Sequence, residues 1–444
     1  MTSPHLRRQL GIWSAASVLV GTTIGSGIFR VPSSVAASTG SVTGIVVVWA
    51  LGALVALFGA LTLAELATMY PLSGGIYVFL RETYGPRVAF LFGWTELVVI
   101  RPSALGAIAM IFAAYVGDFV HLSPVGVRVV AAAAIVTVGI VNFRSVRWGA
   151  VLENTTTAAK ILALSLLAVA ALALAVGGAA AVEPAATAVA RGSWSGWGLA
   201  LVSALWAYDG WADLTFMSGE VENPGRILPR ALVLGVLTVV GLYLLLNAAY
   251  FLVLGVDAMA ASPLVAADVA RRLAGTAGSH VVSALVILST FGSLNGSMMT
   301  GPRIFFAMAE DHLMWKPVAA VHPRHGTPWG AIALATLLGV GYVSVQTFEQ
   351  LADGFILGIW PFYALAVGAV ILIRKRRPDA ERPYRTPGYP WVPLVFLAAS
   401  VGMLLSALVQ QPRSTLIGFG IIAAGVPVYA LVVRRPGRTG GGNA

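Results

Sequence analysis

Gly21-Thr22-Thr23-Ile24-Gly25-Ser26-Gly27 decides the fold, because it interrupts a run that is otherwise apolar from 11 to 37. Three glycines and three hydroxyl residues within seven positions weaken a helix there. A second stretch, Ala207-Tyr208-Asp209-Gly210-Trp211-Ala212-Asp213, interrupts the apolar run 197–220. Each of its two carboxylates costs roughly 2.5–3.5 kcal/mol in hydrocarbon on insertion scales. Residues that expensive point to function.

The hydrocarbon is implied by composition. Of 444 residues, 58% are hydrophobic and 10% charged, and mean hydropathy is +0.85. A soluble domain carries roughly 25% charged residues and could not hide this much apolar surface. A soluble enzyme, a nucleic-acid binder and a disordered chain are therefore excluded. With zero cysteines, so are disulfides, cysteine metal sites and thiol chemistry.

Runs of about 20 apolar residues mark membrane helices. Twelve are expected: 11–37, 44–69, 86–117, 123–143, 149–180, 197–220, 229–254, 280–309, 328–347, 350–373, 391–410 and 414–433. They are continuous, unlike the short alternating segments of a barrel, so the class is an all-α membrane protein. With the N-terminus inside, 20 Lys and Arg fall on the cytoplasmic side and 5 opposite, while Arg30, Arg101 and Lys160 lie within spans. This bias places both termini in the cytoplasm and explains the net charge of +10 without a nucleic-acid partner. The stretch 7–24 reads as the start of the first span; its glycines and the lack of an A-x-A site argue against a signal peptide. The tail 439–444 reads as disordered. The basic, Pro-rich loop 374–390 reads as a linker before a final pair of spans.

The two interrupted spans, 1 and 6, lie five spans apart. Five is odd, so a second unit would run opposite to the first, as in transporters built from inverted repeats. The expected units are 10–180, 197–374 and a peripheral pair in 391–435. An unwound segment frees N–H groups that suit a carboxylate and C=O groups that suit an ammonium. A small ligand carrying both is an α-amino acid. The alternative is that Gly21 and Gly25 only permit close helix packing; two clusters at matching places favour binding.

Gly21-Thr-Thr-Ile-Gly-Ser-Gly-Ile-Phe29, Trp206-Ala-Tyr-Asp-Gly-Trp211 and Gly219-Glu-Val-Glu-Asn-Pro-Gly-Arg-Ile-Leu-Pro-Arg230 resemble the amino acid–polyamine–organocation superfamily, and within it the L-amino-acid transporter family. Ser73–Tyr77, Glu96–Ser103, Gly292–Ser297 and Arg377–Pro383 extend the resemblance over about 10–435. It implies a LeuT-like fold of five plus five inverted helices with two behind, helices 1 and 6 being discontinuous. It further implies sodium-independent transport by alternating access, commonly as exchange. The substrate carboxylate would meet Ser26 and the Gly27 amide, near Ile24 and Gly25. The ammonium would face the carbonyls of Thr23, Trp206 and Asp209, beside Ala207, and Trp206 would serve as an aromatic gate. Lys160, about 16 Å into its span, is too deep for easy snorkelling; the resemblance points it at span 1, where sodium sits in coupled relatives. Animal members carry a cysteine between spans 3 and 4 that ties them to a heavy chain. Here that loop reads Asp118-Phe-Val-His-Leu-Ser-Pro124, so a disulfide-linked heavy chain is excluded, and a bacterial inner-membrane protein acting as monomer or homodimer is expected.

Other residues stay open. Asp209 either selects cationic substrates or stabilises the unwound turn. Glu96 and Arg101, five apart, are not expected to share a helix face. Glu65 and Glu153, near span ends, read as structural groups at the interface, with a proton relay through them and Asp213 as the alternative. Asn295 lines the pocket or bridges helices. The six histidines form no metal site, and no nucleophile or cofactor motif is present, so neither cofactor nor enzyme activity is expected. The composite expectation is an exchanger of L-amino acids, leaning to small neutral ones. Alternatives are a proton-coupled permease, an exchanger taking cationic amino acids through Asp209, and an amino acid sensor that does not transport.

Overall fold

The computed structural model describes residues 8–144, 146–176, 194–314 and 316–433; Arg7, Arg191 and the tail 434–444 lie outside them. The chain runs through α1 (Ile12–Thr23), α2 (Gly27–Thr39), α3 (Val42–Met69), α4 (Ile76–Tyr84), α5 (Pro86–Thr95), a π-turn (Glu96–Ile100) and α6 (Arg101–Val116). It continues with α7 (Pro124–Arg144), α8 (Val146–Val176), α9 (Trp194–Tyr208), α10 (Asp213–Phe216), α11 (Pro224–Leu254) and α12 (Val256–Ala261). It ends with α13 (Val265–Thr300), α14 (Pro302–Glu310), α15 (Trp329–Val345), α16 (Phe348–Arg376), α17 (Trp391–Gln410) and α18 (Pro412–Val433). Among the described residues there is no strand, only one isolated bridge, Leu10 to Val221.

Among the described residues nine helices are long and apolar enough to cross a bilayer, and ten if α1 and α2, bent by 43°, are one span. The expected spans 6 and 9 come out shorter. The described part of the apolar helix before the second break is Gly196–Tyr208, and α15 has 17 residues, about 26 Å of helix. The side chains of Leu405, Val409, Leu416, Ile417 and Leu431 on α17 and α18 are exposed. A lipid-facing surface puts its apolar groups there; in water the same pattern would be an aggregation hazard.

Local chemistry sets the ends. Ser41 accepts from the Gly44 amide to start α3, and Thr347 with Gln350 forms a capping box that starts α16. Span 8, expected over 280–309, lies within a longer apolar helical stretch, Val265–Glu310, that kinks at Ala274–Gly275, with Gly275 at φ +63°. The nine-residue α4 was not expected, since a short run in a connecting stretch carries no membrane-length signal. It buries Ile76 to Leu80. Tyr77 and Arg81 both donate to Asp311 Oδ2 at 2.7 Å. Burial, then that carboxylate, pushes the Tyr77 hydroxyl above its ordinary value.

Glu65 lies near the end of α3, as expected, and is almost fully buried. It accepts from Arg374 Nε at 2.9 Å and Nη2 at 2.6 Å, and from the Thr386 amide at 2.7 Å and hydroxyl at 2.8 Å. It pins the linker 377–390 against α3 and α16. Glu65→Ala leaves that guanidinium without a carboxylate, stacked on the Tyr389 ring, and should lower stability by about 3 kcal/mol. A thermal unfolding midpoint in detergent equal to the parent's would refute this anchor.

Candidate functional site

The two breaks meet in space. Between α1 and α2 the backbone leaves helical geometry at Ile24, with ψ +76°. After α9 it turns at Gly210, with φ +106°. A Cβ on Gly210 would lie 2.8 Å from the Thr23 nitrogen, and one on Gly27 would lie 2.4 Å from the Ala207 Cα. Backbone therefore touches backbone, and only glycine permits that approach.

Unwinding leaves carbonyls without helical donors, and buried carbonyls need partners. Lys160 of α8, 3% exposed, supplies them. Its Nζ donates to the Gly21 and Ile24 carbonyls, each at 2.9 Å, and to Ser293 Oγ at 3.0 Å. The Ser293 hydroxyl lies 2.7 Å from the Gly21 carbonyl and 2.9 Å from that of Ile24. Lys160 thus faces the break, not the membrane interface.

Beside the break lies a narrow cavity of about 50 Å³ that opens toward solvent. Thr23, Gly25, Ser26 and Gly27 line one side and Trp206, Asp209 and Gly210 the other, with Arg101, Asp213, Ser297 and Phe355 completing it. The amides of Ser26, Gly27 and Ile28 have no acceptor among the described residues. They are fixed donors at the start of α2, where its dipole favours an anion. The Trp206 ring packs edge-on against Phe355 at 5.0 Å.

Three of the expected site residues are already engaged within the protein. The Thr23 carbonyl, expected to face an ammonium, already accepts from the Tyr243 hydroxyl and the Gly25 amide, each at 2.8 Å. Ile24 is fully buried, and its carbonyl is held by Lys160. Ala207 packs against Gly27 instead of lining the cavity. Of the two readings of Asn295, the geometry found is the bridge: its amide donates to Gly149 O and Glu153 Oε2, each at 3.1 Å, and its oxygen accepts from Asn142 at 2.9 Å.

Two expectations about charged residues are corrected. Glu96 and Arg101 do interact: Arg101 Nε donates to Glu96 Oε1 at 2.8 Å. The π-turn Glu96–Ile100 widens the helix, so positions five apart come to face each other. Glu153 is not at the interface, because α8 begins at Val146 and carries it two turns inward, to full burial. Asp209 accepts from the Tyr363 hydroxyl at 2.8 Å, and Asp213 from Thr300 at 3.1 Å. Sequence reasoning missed Tyr243, Tyr363, Phe355 and Ser293. Only Ser293 had a legible signal, the four-residue period Ser289, Ser293, Ser297, which keeps hydroxyls on one helix face. Among the described residues no group of three or more His, Asp or Glu could hold a metal ion.

Comparison with known proteins follows the same outline. The description "Amino acid permease" matches residues 10–433. The serine/threonine exchanger SteT of Bacillus subtilis (strain 168) is 31% identical over 443 residues, 96% of this chain and 96% of its own. The human b(0,+)-type amino acid transporter 1 is 34% identical over 411 residues, 92% of this chain and 84% of its own. The human cystine/glutamate transporter is 32% identical over 433 residues, 97% and 86% respectively. Alignment end to end with such proteins, on a multi-pass helical scaffold, places this chain in the amino acid permease family, whose members are membrane transporters and not enzymes.

Proposed function

We propose that the protein is a sodium-independent exchanger of L-amino acids, leaning to small neutral ones, that works by alternating access. In this reading it sits in a bacterial inner membrane with both termini cytoplasmic, as a monomer or homodimer without a heavy chain. Its twelve spans form a LeuT-like pair of inverted repeats, 10–180 and 197–374, with 391–435 behind. The bent pair α1–α2, the broken segment α9–α10 and the short α15 support that count when added to the nine long helices.

The observation that carries the proposal is the Lys160 ammonium on the Gly21 and Ile24 carbonyls. A fixed cation braces the break, so no bound sodium is needed there. The Ser26 and Gly27 amides then hold the substrate carboxylate. The Trp206 and Asp209 carbonyls receive its ammonium, and the Trp206 ring closes over it. Thr23, with its carbonyl filled, contributes shape. The name of the Bacillus relative, a serine/threonine exchanger, supports both exchange and small neutral substrates.

The test is counterflow in liposomes. Labelled serine should enter vesicles preloaded with unlabelled serine, with or without sodium. Entry into empty vesicles driven by a pH gradient would instead make the protein a proton-coupled permease, and binding without entry would make it a sensor. Asp209 is held by Tyr363, which supports a role in shaping the turn. Asp209→Asn should then change the apparent affinity for alanine by less than about threefold, under 1 kcal/mol. If competition assays show a switch between arginine and alanine instead, Asp209 selects the substrate.

A further inference from the structure

Glu153 is a buried acid with no part in the scheme above. It is 0% exposed. Its Oε2 accepts from Asn295 at 3.1 Å, Oε1 has no partner of ordinary hydrogen-bond geometry, and the Thr157 hydroxyl of the same helix lies close to the carboxyl. The carboxyl is wedged between two glycines of different helices. A Cβ on Gly21 of α1 would fall 1.9 Å from Oε1, and one on Gly296 of α13 would fall 3.1 Å from both oxygens. Lys160 follows Glu153 by seven residues, two turns and roughly 10 Å along α8, and its ammonium donates to the carbonyl of the same Gly21. One helix thus presents an acid and a base to the stretch of α1 where the helix gives way.

We propose that Glu153 is a proton-binding site, and that its neutral carboxyl is the form that lets α1 pack against α8 and α13 during exchange. A fully buried carboxylate with one oxygen lacking a well-formed hydrogen bond is far costlier in this setting than a neutral carboxyl. The Lys160 ammonium two turns along α8, the Asn295 amide and the Thr157 hydroxyl are the groups that offset that charge. Of the groups that act on it, Lys160 on α8 and Asp213 on α10 are charged. From α13 comes the uncharged amide of Asn295, itself held by Asn142 of α7, and from α8 the Thr157 hydroxyl. α1 has no ionisable side chain, and the arginines at the start of α11, Arg226 and Arg230, are exposed. When α1 moves away from the carboxyl, water can reach it and the proton can leave. Re-forming the packed state then requires its return. Ionisation therefore removes carriers from the exchange cycle as pH rises.

This rests on the exchange reading, and the experiment separates the two. Serine counterflow is measured from about pH 5.5 to 8.5, set equal on both sides of the vesicle, for the wild type, Glu153→Gln and Glu153→Asp. The wild-type rate should fall by about tenfold per pH unit above its midpoint, the slope of one proton. Glu153→Gln, which copies the neutral carboxyl, should be flat at the wild-type low-pH rate. Glu153→Asp, withdrawn from the glycine wedge, should keep the slope with its midpoint at lower pH, because its carboxylate is easier to hydrate and its neutral form packs less well; a midpoint unmoved or raised counts against the wedge. A Glu153→Gln protein with the wild-type slope overturns the proposal. If Glu153→Gln does not fold, infrared spectra of the wild type decide: a protonated-carboxyl C=O band that bleaches as pH rises, and is shifted in Glu153→Asp, supports the site, and its absence at low pH refutes it. No counterflow at any pH in the wild type would instead defeat the exchange reading itself.

Discussion

Lys160→Ala should cut serine exchange turnover by about 100-fold while changing substrate affinity by much less. The ammonium makes three hydrogen bonds, two of them to main-chain carbonyls at the break in the first span. A charged hydrogen bond contributes about 1.5–3 kcal/mol, and an unmatched buried carbonyl costs about 1–3 kcal/mol more. Ser293 can still donate to one of the two carbonyls. The net loss is then about 2–3 kcal/mol, and about 2.8 kcal/mol is 100-fold in rate. It falls on turnover because Lys160 holds the hinge and not the ligand. Lys160→Met, which keeps the length but not the charge, should be equally slow. Normal turnover in either variant, measured by counterflow at saturating serine, would take Lys160 out of the mechanism.

Gly27→Val should abolish exchange altogether. The new Cβ would lie 2.4 Å from the Ala207 Cα, a main-chain atom that cannot swing aside, and 2.8 Å from its Cβ. Forcing the helices apart costs at least the 1–3 kcal/mol of ordinary overpacking. It also moves the Gly27 amide from its place on the cavity wall. Trimming the neighbour with Ala207→Gly should not restore activity, because the Cα stays. The contrast is Gly241→Ala on α11, where an added Cβ meets nothing within 4 Å. That change should leave exchange intact and gain a few tenths of a kcal/mol of helix propensity or more. Wild-type exchange by Gly27→Val would mean that the two breaks are not in contact in the working protein.

Much of this was legible along the chain because membrane insertion is a local filter. Each span must satisfy its own backbone bonds in hydrocarbon. Apolar runs therefore announced the all-helical membrane class, and glycine beside hydroxyl or carboxylate announced the two interruptions. Lys160 was legible for the same reason: a charge that deep needs an interior partner. The short α4 was not legible, since a helix packed on protein and not lipid needs no long apolar run.

The partners of the buried polar groups were decided only in three dimensions. Arg101 reaches Glu96 through a π-turn that no spacing rule contains. The Thr23 carbonyl is taken by Tyr243, 220 residues away. Glu153 looked like an interface residue until α13 and α1 closed over it. Insertion into a bilayer tests each segment by itself, so sequence alone carries that information. Pairing of buried donors and acceptors is a property of helices brought together, and it exists only once they have packed.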